Sequence, residues 1–158
     1  DVDAGEMAMV VDACNSAASV EGGGFKPGPM GSRGLGQLAY DKQMRILAAS
    51  QAEAVAIESA KLRHGLLTYA LIREGLEAGR ANREPEDQVI HIGEWLAYGA
   101  DRVPVLYEAL ERGTFKSDRR YKGARPVGGA GAQRTVQEPG LFDFAGPDGN
   151  VVLRRLSK

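Results

Sequence analysis

The sequence predicts an α/β fold, a sheet of mainly parallel strands flanked by helices. Three observations lead there. Two apolar runs, Met7-Ala8-Met9-Val10-Val11 and Met44-Arg45-Ile46-Leu47-Ala48-Ala49, each stop at polar residues; a glycine- and proline-rich connection separates them; and helical periodicity follows the second. Continuous apolar runs suit strands buried on both faces, as in parallel sheets. Two such strands cannot cover both faces or satisfy both edges alone. The sheet is therefore expected to be incomplete without an N-terminal segment of the same protein or a partner chain.

The elements follow in order. The first strand ends at Asp12-Ala13-Cys14. Residues 19–36, with Gly22-Gly23-Gly24 and Pro27-Gly28-Pro29, carry too little side chain and too many breakers for a regular element and read as a mobile linker loop. The second strand ends at Ser50-Gln51, so both strands deliver polar groups at their carboxyl ends. Leu62, Leu66, Leu67, Ala70 and Leu71 recur at helical spacing between Ser59 as N-cap and Gly79 as stop, which predicts a helix over 60–78. Ile92, Trp95, Leu96, Val103, Leu106, Tyr107 and Leu110 mark a second helical segment that Pro104 should kink or split. Residues 113–158 read as a loop-rich C-terminal extension following a unit that spans 1–112. Within it, Leu141-Phe142-Asp143-Phe144 and Val151-Val152-Leu153 flank the turn signal Asp148-Gly149-Asn150 and predict a small terminal hairpin.

Composition bounds the function. The 158 residues, 43% apolar and 26% charged, suit one domain of ordinary size. With 20 basic and 21 acidic residues the net charge is −1, which provides no electrostatic footprint for nucleic acid or an anionic membrane. No apolar stretch is long enough to span a bilayer, and no signal-peptide pattern opens the sequence. A lone cysteine excludes an intrachain disulfide and points to a reducing, cytoplasmic setting. The opening Asp1-Val2-Asp3, without a methionine, reads as that of a processed or excised piece.

Cys14 is the residue that carries the most chemistry. It lies just past a buried strand, where open α/β sheets place their ligands, which makes it a candidate nucleophile. The competing reading is a small buried core thiol. Asp12, Asn15 and Ser16 weigh against that reading, because they remove the thiol from a purely apolar run.

Met9-Val10-Val11-Asp12-Ala13-Cys14-Asn15-Ser16-Ala17 resembles the strand-then-nucleophile segment of caspase-like cysteine peptidases, in the Asp-x-Cys form of the metacaspase and bacterial branch. A second block agrees in order and spacing: Met44 to Gln51 as the next strand, Glu53, then His64-Gly65-Leu66-Leu67-Thr68-Tyr69-Ala70-Leu71 opening a helix. The resemblance covers residues 5–78. It implies a caspase-like sheet and a Cys–His dyad in which the Cys14 thiolate attacks a peptide carbonyl and backbone amides stabilise the oxyanion.

The family's catalytic histidine belongs to an upstream strand-loop unit, and the sequence departs from the pattern there. His64 matches the helix start, and His91, among Val89, Ile90 and Ile92, reads as structural or surface. The resemblance therefore implies that the histidine comes from an N-terminal segment of the same protein and that these residues alone are inactive.

Family members that cleave after Arg or Lys line the first pocket with acids. Asp12 matches the pocket acid two residues before the nucleophile, Glu53 falls near the second, and Ser50 and Gln51 line the wall. Glu53 also reads as a solvated carboxylate. Caspase-like enzymes often mature by cleavage in the linker after the nucleophile, and Arg33-Gly34 is the better autoprocessing site because Pro27 follows Lys26. No cofactor or metal is expected. Calcium activates part of the family, but no dense Asp/Glu cluster marks a site. The function expected is a cysteine endopeptidase acting after basic residues on peptides or proteins. The alternatives are an inactive caspase-like regulatory or binding subunit and another cysteine-peptidase branch with the same sheet.

Overall fold

A computed structural model describes residues 6–12, 32–49, 65–115, 139–146 and 150–156. In chain order they form β1 (Ala8–Val11), α1 (Ser32–Asp41), β2 (Arg45–Ala48), α2, β3 (Val89–His91), α3 (Ile92–Glu111), β4 (Gly140–Asp143) and β5 (Val152–Arg155). Helix α2 opens with an α-turn over Leu66–Thr68 and continues with wider π-type hydrogen bonding over Tyr69–Glu77. The fold is mixed α/β with two small sheets. One has the order β1-β2-β4 and the other pairs β3 with β5.

β2 is the strand around which the first sheet is built, and all four of its residues are buried. Period-2 alternation sends its side chains to two different cores. Ile46 and Ala48 pack with Leu35 and Ala39 of α1, Met44, and the partly buried Met9, Val11 and Phe142. Leu47 and Ala49 face the other way, into a larger core with Leu66, Leu67 and Leu71 of α2 and Leu96, Val103 and Leu106 of α3. Each of these fully buried aliphatic side chains contributes about 1.5–3 kcal/mol, so two helical layers are held to one strand. Close approach of the helices to that strand depends on Gly99: a Cβ there would fall 2.5 Å from Leu71 Cδ2 and 3.3 Å from Leu47 Cδ2.

The β1–β2 pair is parallel, Ala8 opposite Arg45 and Val11 opposite Ala48, with α1 as the crossover. β4 lies antiparallel on the other flank of β2, Asp143 opposite Arg45 and Gly140 opposite Ala48. At the end where β1 and β2 begin and β4 ends, the buried Arg45 guanidinium bridges Glu6 and Asp143, its Nε 3.0 Å from Asp143 Oδ2. The second sheet docks through Ile90, which packs with Ala81 and Tyr98. The first amides of α3 find acceptors outside the helix, as helix N-termini must: Ile92 N–H donates to Val151 O at 2.9 Å and Gly93 N–H to Asn150 Oδ1 at 3.3 Å.

Several expectations are corrected. The first sheet contains one parallel and one antiparallel pair rather than mainly parallel strands. β1 is not buried on both faces: Met9 and Val11 turn inward and Ala8 and Val10 outward, because β1 is an edge strand whose inner face meets the α1 core. The terminal hairpin does not form. β4 joins β2 and β5 joins β3 across the bulged Ile90/His91 register, so the C-terminal stretch serves both sheets. The physical reason is that Leu141 and Phe142 gain burial against two existing cores, which a two-stranded ribbon cannot offer.

The loop expected to reach residue 36 gives way to helix at Ser32, where Leu35 and Ala39 reach the β2 core. Residues 19–31 lie outside the described residues, as do Ser59 and residues 60–64 of the predicted helix. Its end at Gly79 agrees, with φ +71 there. Pro104 does not split the second helix; α3 runs through it, anchored on either side by the buried Val103 and Leu106. Among the described residues no helix is long and apolar enough to cross a membrane.

Candidate functional site

The carboxyl end of β1 meets the N-terminus of α2. Asp12, the residue after β1, directs Oδ2 at the first turn of that helix, where it accepts hydrogen bonds from the Thr68 N–H, at 3.2 Å, and from the Thr68 hydroxyl. Gly65 is the residue that caps the helix by position, in extended backbone (φ −62°, ψ 161°), and it has no side chain to offer. Asp12 therefore does from another strand what an N-cap Asp or Ser does locally, satisfying one of the helix's orphan donors. Gly65 also makes room for it. A Cβ there would sit 2.5 Å from Asp12 Oδ1.

The two blocks of the family resemblance are thus neighbours. One runs through β1 to Asp12, and the other through β2 and into α2. Of the expected pocket residues, Asp12 is exposed at this junction, with its two bonds from Thr68 on Oδ2. Cys14, Ser50, Gln51, Glu53 and His64 lie outside the described residues. The backbone of Arg33 and Gly34 is in the first turn of α1, so cleavage of that bond requires the turn to unwind into an extended strand. His91 belongs to a different region. It caps α3, 3.5 Å from Glu94 Oε2 through Nδ1, and a Cβ on nearby Gly93 would lie 3.9 Å from Arg45 Nε. Arg45 starts β2, whereas Asp12 follows the end of β1; four residues of strand separate these levels, about 13 Å.

A second polar centre escaped the sequence reading. Glu74, on the buried side of α2, is 7% exposed. Its carboxylate accepts from Arg102 through Nε and, at 2.9 Å, Nη2, from Arg80 Nη1 at 2.8 Å, and from the Tyr98 hydroxyl at 3.0 Å. Burial pushes the Glu74 carboxyl up, but the Arg102 hydrogen bonds and charge, with Tyr98 and Arg80, outweigh it and hold the group below the ordinary carboxylate value. For Tyr98 burial and the Glu74 charge act together, and the phenol is pushed up to about 12. The Glu74 hydrogen bond raises Arg102 still further. The signal that could have revealed the centre is Glu74 itself, four residues after Ala70 on the face that also carries Leu66 and Leu67. A charge on an apolar stripe demands partners.

Among the described residues no group of three or more His, Cys, Asp or Glu could hold a metal ion. Comparison of the chain with family models, with curated proteins and with solved structures produced no match.

Proposed function

We propose that this chain is the nucleophile-bearing portion of a caspase-like cysteine endopeptidase that cleaves after arginine or lysine. One observation carries the reading. The two sequence blocks that resemble the family, far apart in the chain, lie side by side through the parallel β1–β2 register and the Asp12–Thr68 hydrogen bonds.

In this reading Cys14, two residues past Asp12, attacks the carbonyl carbon of the scissile bond as a thiolate. The carbonyl π electrons move to oxygen, where backbone N–H groups receive the charge. Collapse expels the amine, which takes a proton from the dyad histidine, and water then hydrolyses the thioester. The histidine is supplied by polypeptide outside residues 1–158. Asp12 is committed to Thr68 through Oδ2 and offers Oδ1 to a basic substrate side chain, with Ser50, Gln51 and Glu53 completing the wall.

The test is a panel of fluorogenic peptides carrying Arg, Lys or Asp at the cleaved position, assayed on the protein with its histidine-bearing segment, with Cys14→Ala as control. Cleavage after Arg and Lys that falls to background in Cys14→Ala is expected. Cleavage after Asp alone would overturn the acidic pocket, and activity surviving Cys14→Ala would overturn the nucleophile. No cleavage of any peptide would favour the inactive binding subunit.

A further inference from the structure

Between α2, α3 and the Thr114–Phe115 turn lies a cavity of about 570 Å³. Its volume falls in the range that small-molecule sites occupy. One wall is apolar: Tyr69 and Phe115 meet edge to face with ring centres 5.5 Å apart, and Val105 and Leu106 flank them. The opposite side carries Arg80 and Arg102, both turned to the Glu74 carboxylate. Among the described lining residues three guanidiniums, of Arg73, Arg80 and Arg102, meet two carboxylates, of Glu74 and Glu77, a surplus of one positive charge. Glu74 stays ionised well into the acidic range, so that surplus is steady at neutral pH. Arg80 spends one Nη1 bond on Glu74 while its side chain is 56% exposed, which leaves its planar fork accessible from the cavity mouth.

We propose that this cavity binds a small organic monocarboxylate with an aromatic body, its carboxylate received by the Arg80 fork with the Arg102 charge beside it, and its ring laid on Phe115 and Val105. A fork-shaped guanidinium matches a carboxylate in plane and charge, and an aromatic ring packs well against another ring and an aliphatic side chain. The site is separate from the β1 end and does not depend on the peptidase reading.

The probe is 3-phenylpropionate, titrated by calorimetry and by the ring-proton NMR signals of Tyr69 and Phe115. Its neutral counterpart 3-phenylpropan-1-ol tests the charge, and propionate tests the ring. Each counterpart is expected to bind at least about tenfold more weakly, the scale of one lost charge-assisted hydrogen bond or one buried ring. Arg80→Gln, at an exposed position, should weaken 3-phenylpropionate binding about tenfold while circular dichroism shows the variant folded at the assay temperature, with melting lowered by the lost bond to Glu74. Val105→Trp should abolish binding by filling the mouth, Val105 being 53% exposed. The proposal is overturned if 3-phenylpropionate does not bind at millimolar concentration, if the alcohol binds as well, or if folded Arg80→Gln binds it unchanged.

Discussion

Among the described residues two carboxylates accept hydrogen bonds from a hydroxyl and from nitrogen donors, and they do different work. Asp12 stands at an exposed strand end and takes the Thr68 hydroxyl and amide. Glu74 is buried between two helices and takes Tyr98, Arg102 and Arg80. Water can replace most of what Asp12 loses if its partners go, whereas it reaches Glu74 poorly on the side held by the buried Tyr98 and by Arg102. The exposed carboxylate thus stays open to solvent beside its Thr68 bonds, and the buried one is bound to the architecture. Hydrogen-bond number alone does not separate structure from function; access to solvent does.

The largest expected effect is at the buried centre. Glu74→Gln leaves the largely buried Arg102 facing a neutral amide and should cost about 3 kcal/mol, the scale of breaking a buried ion pair, read as a lower urea midpoint. The pH dependence sharpens this. The folded-state value of Glu74 is below its ordinary 4.5, so the unfolded chain binds the proton first, and the stabilisation is present above 4.5 and lost as pH falls through the folded value. At the alkaline end the sign reverses. Folding raises Tyr98 from 10.0 to about 12, so its contribution is complete below 10 and is lost as pH climbs towards 12. Urea midpoints of Glu74→Gln and Tyr98→Phe across pH should each flatten one limb of the parent's profile.

The exposed site should respond less. Thr68→Val keeps the shape of the side chain but removes the hydroxyl, and should cost about 1 kcal/mol, the scale of a lost helix cap. Gly65→Ala should do at least as much by pushing a methyl group into the Asp12 carboxylate. If these substitutions destabilised as strongly as Glu74→Gln, the contrast between the two carboxylates would fail. The smallest effect is expected from Arg83→Leu. It removes the guanidinium 4.6 Å above the Tyr98 ring and an exposed pair with Asp101, for about 0.5 kcal/mol. Thermal melting at low and high salt would measure it.

Local pattern carried much of the fold. The apolar run before Ser50 becomes β2, the Leu66-Leu67-Ala70-Leu71 stripe becomes the buried face of α2, and Gly79 ends that helix, because strand burial and helical periodicity are properties of neighbouring residues. Asp12 was legible as the polar end of an apolar strand. Its hold on Thr68, 56 positions away, was not, since residue spacing contains nothing of which strand end meets which helix.

The same division explains the C-terminal strands and the Glu74 centre. Sequence alone supplied the segments that wanted to be extended, Leu141-Phe142 and Val152-Leu153, and a turn signal between them. Tertiary structure decided that they would leave each other for β2 and β3: Leu141 and Phe142 gain burial in cores assembled from distant residues, while β5, exposed along its length, is held by its backbone pairing with β3. Glu74 lies on an apolar stripe for the same reason. A carboxylate there is tolerable only once α3 brings Tyr98 and Arg102 across to meet it, and that arrangement exists in the folded chain alone.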